Sequence, residues 1–305
     1  MRYAIIGTGS VGGYYGGRLA QSGQEVHFLL NSDYEYVCQH GLRVDSWCGD
    51  FLLPQVNAYH QTEDMPQCDV LLVCMKTSNQ HLLPRLLAPL LPSDPVVVLI
   101  QNGIGVEADL QRQLPSAQIA AGLAFICTTK VGPGHVSHLD FGQLSLGNFS
   151  CRGNERLQLL ADHLCRAGVK TRLVEYAEAR WKKAVWNMPF NGMTVALHSS
   201  TDQLLAHPST RTLIYQQMLE VVAAAQALGV RNIGPDFADK MIATTLKMKP
   251  YKPSMRVDYD RHRKMEIDYL YSRGIEMARQ AGCAMPRIEM LEQELRFIEA
   301  TRSDG

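Results

Sequence analysis

The chain has 305 residues, 46% of them hydrophobic and 20% charged, an ordinary soluble composition with room for two domains and a sizeable core. Thirty basic and thirty acidic side chains cancel, so no overall field draws the protein to nucleic acid or to an anionic membrane, and its ligand must be held by local groups. Eight cysteines lie singly with no C-x-x-C pair, which argues against a metal site or a disulfide framework and fits reduced thiols in the cytoplasm.

The N-terminal M-R-Y-A-I-I-G enters a strand directly, without a charged leader followed by a cleavable apolar core, and no apolar run is long enough to span a bilayer. A cytoplasmic location with no membrane partner is the expectation. Short Val/Ile/Leu-rich runs at 3–6, 25–30, 69–75, 95–100 and 119–126 lack a polar face, as parallel strands covered on both sides do. Helix-length stretches at 11–22 and 79–91 lie between them, so this half reads as an open α/β sheet. Patches at 41–44 and 50–56 predict an inserted hairpin. Runs at 135–138 and 143–147, flanking D-F-G, predict two strands closing the far side of the sheet in antiparallel fashion. After a last strand at 169–174, helical periodicity takes over at 178–206, 209–228, 236–247, 258–281 and 287–302. The expected division is residues 1–175 and 176–305.

G-T-G-S-V-G directly after the first strand places Gly7, Gly9 and Gly12 in G-x-G-x-x-G spacing, with Thr8, Ser10 and Val11 between them. Here the first glycine makes the tight turn, the second lets backbone approach a pyrophosphate, and the third allows close helix packing. The helix N-terminus that follows attracts the anion. The motif makes the first half a Rossmann-type dinucleotide domain. An acidic residue ending the second strand would select NAD and a basic one NADP; the position holds Asn31, followed by Ser32 and Asp33. Neutral Asn31 and Ser32 can donate to a 2′-phosphate, which favours NADPH, while Asp33 leaves NAD open. Lys76 and Asn102-Gly103 follow two further strands, at the carboxyl ends where open sheets bind ligands. A solvated loop lysine and a turn before glycine are the structural alternatives.

In W-K-K-A-V-W-N-M-P-F-N-G, Lys183, Asn187 and Asn191 recur every fourth residue and share one helix face among apolar neighbours. A buried ammonium needs a carboxylate or loses its proton, which makes Lys183 a candidate proton donor. The structural alternative is a lysine reaching water beside amides that satisfy nearby backbone. Pro189 lacks an N–H and crowds the carbonyl of Val185, so a kink is expected. Farther on, K-P-Y-K-P-S-M leads from a proline-bracketed loop at Ser254 into a helix expected to carry Glu266. Alone, the first could be an N-cap and the second a surface acid.

Together, G-x-G-x-x-G at Gly7, Lys76, Q-N-G at Asn102, K-x-x-x-N-x-x-x-N at Lys183, and P-S-M followed by E-I-D at Glu266 resemble the ketopantoate reductases over nearly the whole chain. The resemblance implies an α/β N-terminal Rossmann domain with an open, mostly parallel sheet that holds NADPH. It also implies an all-helical C-terminal domain that closes a cleft over a 2-keto acid. It implies Lys183 as general acid, Glu266 as its partner at substrate and cofactor, Ser254 on the substrate carboxylate, and Asn187 and Asn191 on substrate oxygens. Asn102 and Lys76 would border the nicotinamide and the cofactor phosphate. Two departures stand out: well-studied members carry Arg where Asn31 lies, and another substrate-binding Asn is replaced by Thr201. A β-hydroxyacid dehydrogenase shares the lysine helix but does not need the E-I-D acid, and a dinucleotide-binding sensor would lack turnover. A homodimer is compatible with a helical second domain.

Overall fold

Residues 1–302 are described by the computed structural model. The predicted strand runs of the first half become β1 (Arg2–Ile6), then α1 (Ser10–Gln21), β2 (Glu25–Leu29), α2 (Tyr34–His40), β3 (Leu42–Ser46), β4 (Phe51–Leu53) and β5 (Asn57–Tyr59). They continue through β6 (Val70–Val73), α3 (Leu83–Leu87), β7 (Val96–Leu99), α4 (Val106–Gln113), β8 (Gln118–Gly132), β9 (His135–Asn148), α5 (Glu155–Arg166) and β10 (Thr171–Val174). One ten-stranded sheet results, in the order β4-β3-β9-β8-β7-β6-β1-β2-β5, with β10 beside β9. Strands β8, β7, β6, β1, β2 and β5 are parallel, β9 runs antiparallel to β8, and β3 and β4 form the antiparallel hairpin.

The central strands carry Ile5, Ile6, Leu71, Leu72, Val97 and Val98 with no exposed surface, each side chain contributing about 1.5–3 kcal/mol by leaving water. Continuous apolar runs are therefore tolerated here and force the helices onto the faces.

Two local expectations are corrected. The helix foreseen at 79–91 is broken into a 3-10 turn at Thr77–Leu82, the short α3, and a second 3-10 turn at Ala88–Ser93. Pro84, Pro89 and Pro92 each remove a backbone donor, which a long α-helix cannot absorb. The two strands foreseen around D-F-G are one strand, β9, whose register shifts opposite Phe125/Ile126 and Cys127/Thr128. Phe141 and Gly142 have φ of 61° and 114°, so the turn-like tripeptide makes a bulge, not a loop.

The second half is helical: α6 (Tyr176–Ala196), α7 (Thr201–Ala206), α8 (Pro208–Ala227), α9 (Pro235–Thr245), α10 (Ser254–Asp260), α11 (Arg273–Gln280) and α12 (Pro286–Thr301). Its core gathers Met188, Phe190, Val195, Leu205, Ile214, Met218, Val221, Tyr271 and Leu295, all at 0% exposure. Pro189 lies inside α6, whose helical run is unbroken. The helix foreseen over 258–281 is instead α10, a non-helical stretch at 261–266, and a π-type turn at Asp268–Ser272 leading into α11. Glu266 therefore precedes that helical segment, its carbonyl accepting from Leu270 N at 3.2 Å.

The chain divides into two compact units: Met1–Gln101 with Val106–Tyr176, and Asn102–Gly105 with the chain from Ala177 on. Asn102–Gly105 thus pack with the helical unit, where Ile104 N donates to Tyr269 O at 2.8 Å. Among the described residues no helix is long and apolar enough to cross a membrane, and no group of three or more His, Cys, Asp or Glu is placed to hold a metal ion.

Candidate active site

Within the sheet unit, β1 ends at Ile6 opposite Val73 of β6, so the glycine loop and Lys76 leave the same edge of neighbouring strands. Gly7 has φ of 96°, a left-handed conformation that favours glycine. A Cβ on Gly12 would lie 2.4 Å from the Gly7 carbonyl, while one on Gly9 would meet nothing within 4 Å. Gly12 is thus required by packing, while the space beside Gly9 is open. Thr8 ties the loop to the end of β2, its N and Oγ1 both donating to Leu29 O at 3.2 and 2.9 Å. Ser10 and Val11 open α1, where Gly9 caps without a side chain. The first-turn N–H groups of a helix have no intrahelical acceptor, so they face the loop as anion donors.

At the end of β2, Asn31 and Ser32 are exposed and Asp33 is buried. The Asp33 carboxylate accepts from Lys130 Nζ and from Gly134 N, the latter at 2.9 Å. Burial works against its charge, but the Lys130 and Gly134 hydrogen bonds outweigh it and hold the carboxyl below its usual range. Asp33 is engaged inside the unit and also accepts from Ser32 Oγ at 3.1 Å, which leaves the exposed Asn31 as the group on offer at the strand end.

Within the helical unit, α6 presents Arg180, Lys183, Ala184, Asn187 and Met188 to a small cavity completed by Gly103, Ile104 and Leu270. Lys183 is half-buried. Its pKa falls from the usual 10.5 to about 7: burial is the main cause, repulsion from Arg180 adds to it, and Glu266 pulls the other way. An amine with that value exchanges protons in either direction near neutral pH. Asn187, 9% exposed, shares the cavity, and Asn102 adjoins it through Gly103.

Asn191 and Ser254 are placed elsewhere. The buried Asn191 amide is engaged at both ends: Nδ2 donates to Asn187 O at 2.9 Å, and Oδ1 accepts from Met255 N at 3.1 Å with Ser254 Oγ at 3.5 Å. It fastens the start of α10 to α6. Thr201 is likewise structural, its N and Oγ1 donating to Tyr251 O. Arg180 was not foreseen from sequence; the signal was the polar stripe of α6 continuing one turn before Lys183.

The family model described as "Ketopantoate reductase PanE/ApbA" matches residues 3–150, and "Ketopantoate reductase PanE/ApbA C terminal" matches residues 175–299. A 2-dehydropantoate 2-reductase of Nostoc sp. is 45% identical over 310 residues, covering 100% of this chain and 97% of that protein. Among solved structures, a 2-dehydropantoate 2-reductase from Geobacter metallireducens superposes with a TM-score of 0.94 at 38% identity, covering 97% of this chain and 99% of that one. One from Methylococcus capsulatus gives 0.92 at 31% identity, with 100% and 99% coverage.

Proposed function

Because the chain belongs to the ketopantoate reductase family of oxidoreductases, we propose that it reduces 2-dehydropantoate to pantoate with NADPH. The observation that carries this reading is the Lys183 cavity: an amine with a pKa of about 7 beside Asn187, opposed by Glu266. End-to-end similarity to reductases of that name supports the substrate.

The sheet unit fits a dinucleotide on its own evidence. The open side of Gly9, the packed Gly12 and the uncapped start of α1 form a cradle for a pyrophosphate. Gly7, Thr8, Gly9, Ser10, Val11 and Gly12 would hold it, with Lys76 at a phosphate. Asn31 would donate to the 2′-phosphate, and Ser32 would do so on turning its hydroxyl away from Asp33; the Asp33 charge is offset by Lys130 and Gly134, which favours NADPH over NADH. When bound, the dihydronicotinamide supplies the hydride that the keto carbon receives.

The chain's own residues do the rest. As the carbonyl oxygen gains negative charge, Lys183 Nζ donates a hydrogen bond and then its proton to it. Glu266 favours the charged form of Lys183, so the ammonium is available near neutral pH despite burial. Asn187 and Asn102 would orient substrate oxygens. Asn191 acts indirectly, by holding Ser254 at the head of α10 for the substrate carboxylate.

Absorbance of NADPH and NADH is followed with a panel of 2-keto acids that includes 2-dehydropantoate. NADPH oxidation fastest with 2-dehydropantoate is expected. No oxidation with any acid would sink the enzyme reading, and faster NADH turnover would overturn the cofactor assignment.

A further inference from the structure

Arg180 has no part in the family resemblance or in the mechanism above, yet it is 3% exposed and lines the cavity that holds Lys183. The two sit three residues apart on α6, on neighbouring positions of one helix face. Gly103, Ile104, Ala184, Asn187, Met188 and Leu270 around the cavity are uncharged. Lys182, next along the chain, forms an ion pair with Glu178 at 2.6 Å. Arg180 and Glu266 are the charges felt at the amine, and they act in opposite senses.

We propose that Arg180 is a positioning residue for proton transfer: its fixed charge, held at the cavity by α6, sets how readily Lys183 Nζ gives up its proton, against the opposing pull of Glu266. A guanidinium keeps its proton at any working pH, so its effect on a neighbour is constant. Burial of Arg180 and half-burial of Lys183 weaken solvent screening and strengthen that effect. With Glu266 alone, Lys183 would settle into a stable ion pair and part with its proton reluctantly. With Arg180 present, the N–H bond breaks more easily as the substrate carbonyl carbon gains hydride and its oxygen takes the proton. The lowered pKa of Lys183, to about 7, agrees with this balance.

The proposal rests on the reductase reading of the same cavity, and two readouts keep them separable. The first is kcat/KM for the keto acid against pH in wild type, Arg180→Gln and Arg180→Lys, with fold checked by circular dichroism and by NADPH binding. Arg180→Gln should move the high-pH limb upward by roughly half a pH unit or more, while Arg180→Lys keeps it in place. Arg180→Met serves as the neutral variant where Arg180→Gln does not fold. The second is the pH dependence of Lys183 acetylation by acetic anhydride, read by mass spectrometry, which needs no turnover. The neutral variants should be labelled more slowly than wild type near pH 7, because more of the amine is protonated. If wild type turns over no keto acid, the reductase reading fails and labelling still decides the role of Arg180. A folded neutral variant with the wild-type limb and labelling profile overturns the proposal, as does Arg180→Lys displaced as far as Arg180→Gln.

Discussion

Lys183 shows how one buried amine can be both costly and useful. In its proposed role as proton donor it must be charged when the keto acid arrives, so kcat/KM for reduction should be level below about pH 7 and fall as pH rises through that value. A pH–rate profile level to pH 9 would contradict this. The same shift has a consequence for stability. Between pH 10.5 and about 7 the unfolded chain holds a proton on Lys183 that the folded chain lacks, so stability falls as pH falls through that window. Lys183→Met should therefore lose less stability than wild type as pH falls from 10.5 to 7 in denaturant melts. That Lys183 and Asn187 share one face of α6 was legible in the sequence because their spacing is a helical period; Glu266 stood out only through the family resemblance. The engagement of Asp33 was not, because its partners Lys130 and Gly134 lie about a hundred residues away.

At the scale of elements, the link between α6 and α10 is the feature most open to test. Asn191→Ala removes the acceptor of Met255 N and the donor to Asn187 O, leaving buried backbone unpaired at a cost of about 1–3 kcal/mol. A lower Tm and faster amide exchange at the start of α10 are expected, with KM for the keto acid raised more than kcat is lowered. An unchanged Tm would show that the link carries no stability. Helices and strands were readable where one period ran uninterrupted, as in β1, α1 and α8, whereas the single helix expected over 178–206 is two, α6 and α7. The errors fell where local chemistry overrides periodicity: three prolines between 84 and 92, and the bulge at Phe141 and Gly142. The non-helical 261–266 stretch has no such marker in the sequence, since R-H-R-K-M-E contains neither glycine nor proline. There, Arg263 N turns back to Asp258 O at 2.8 Å and Met265 N donates to Glu299 at 2.7 Å on α12, so tertiary partners replace the helical ladder.

At the scale of the whole molecule, the proposed function assigns the dinucleotide to the sheet unit and the keto acid to the helical unit. A ligand that binds only the folded state stabilises it by about 2.7 kcal/mol at a hundred times its Kd, so NADPH should raise Tm more than NADH at equal concentration. Asn31→Arg should widen that gap by adding a charged partner for the 2′-phosphate, roughly a tenfold gain in NADPH affinity; a gap left unchanged would place the phosphate elsewhere. The open α/β class and the change to helices were legible because the hydrophobic period itself changes near residue 175. That Asn102–Gly105 belongs with the helical unit was not, because a four-residue loop carries no periodicity.

In the proposed reaction the proton that the keto acid receives comes from Lys183. The most direct measurement compares wild type and Lys183→Ala in two assays on the same preparations, NADPH binding by fluorescence and NADPH oxidation with saturating 2-dehydropantoate. Binding should be retained while oxidation falls about 10²–10⁴-fold. Oxidation by Lys183→Ala within a few-fold of wild type would contradict the account.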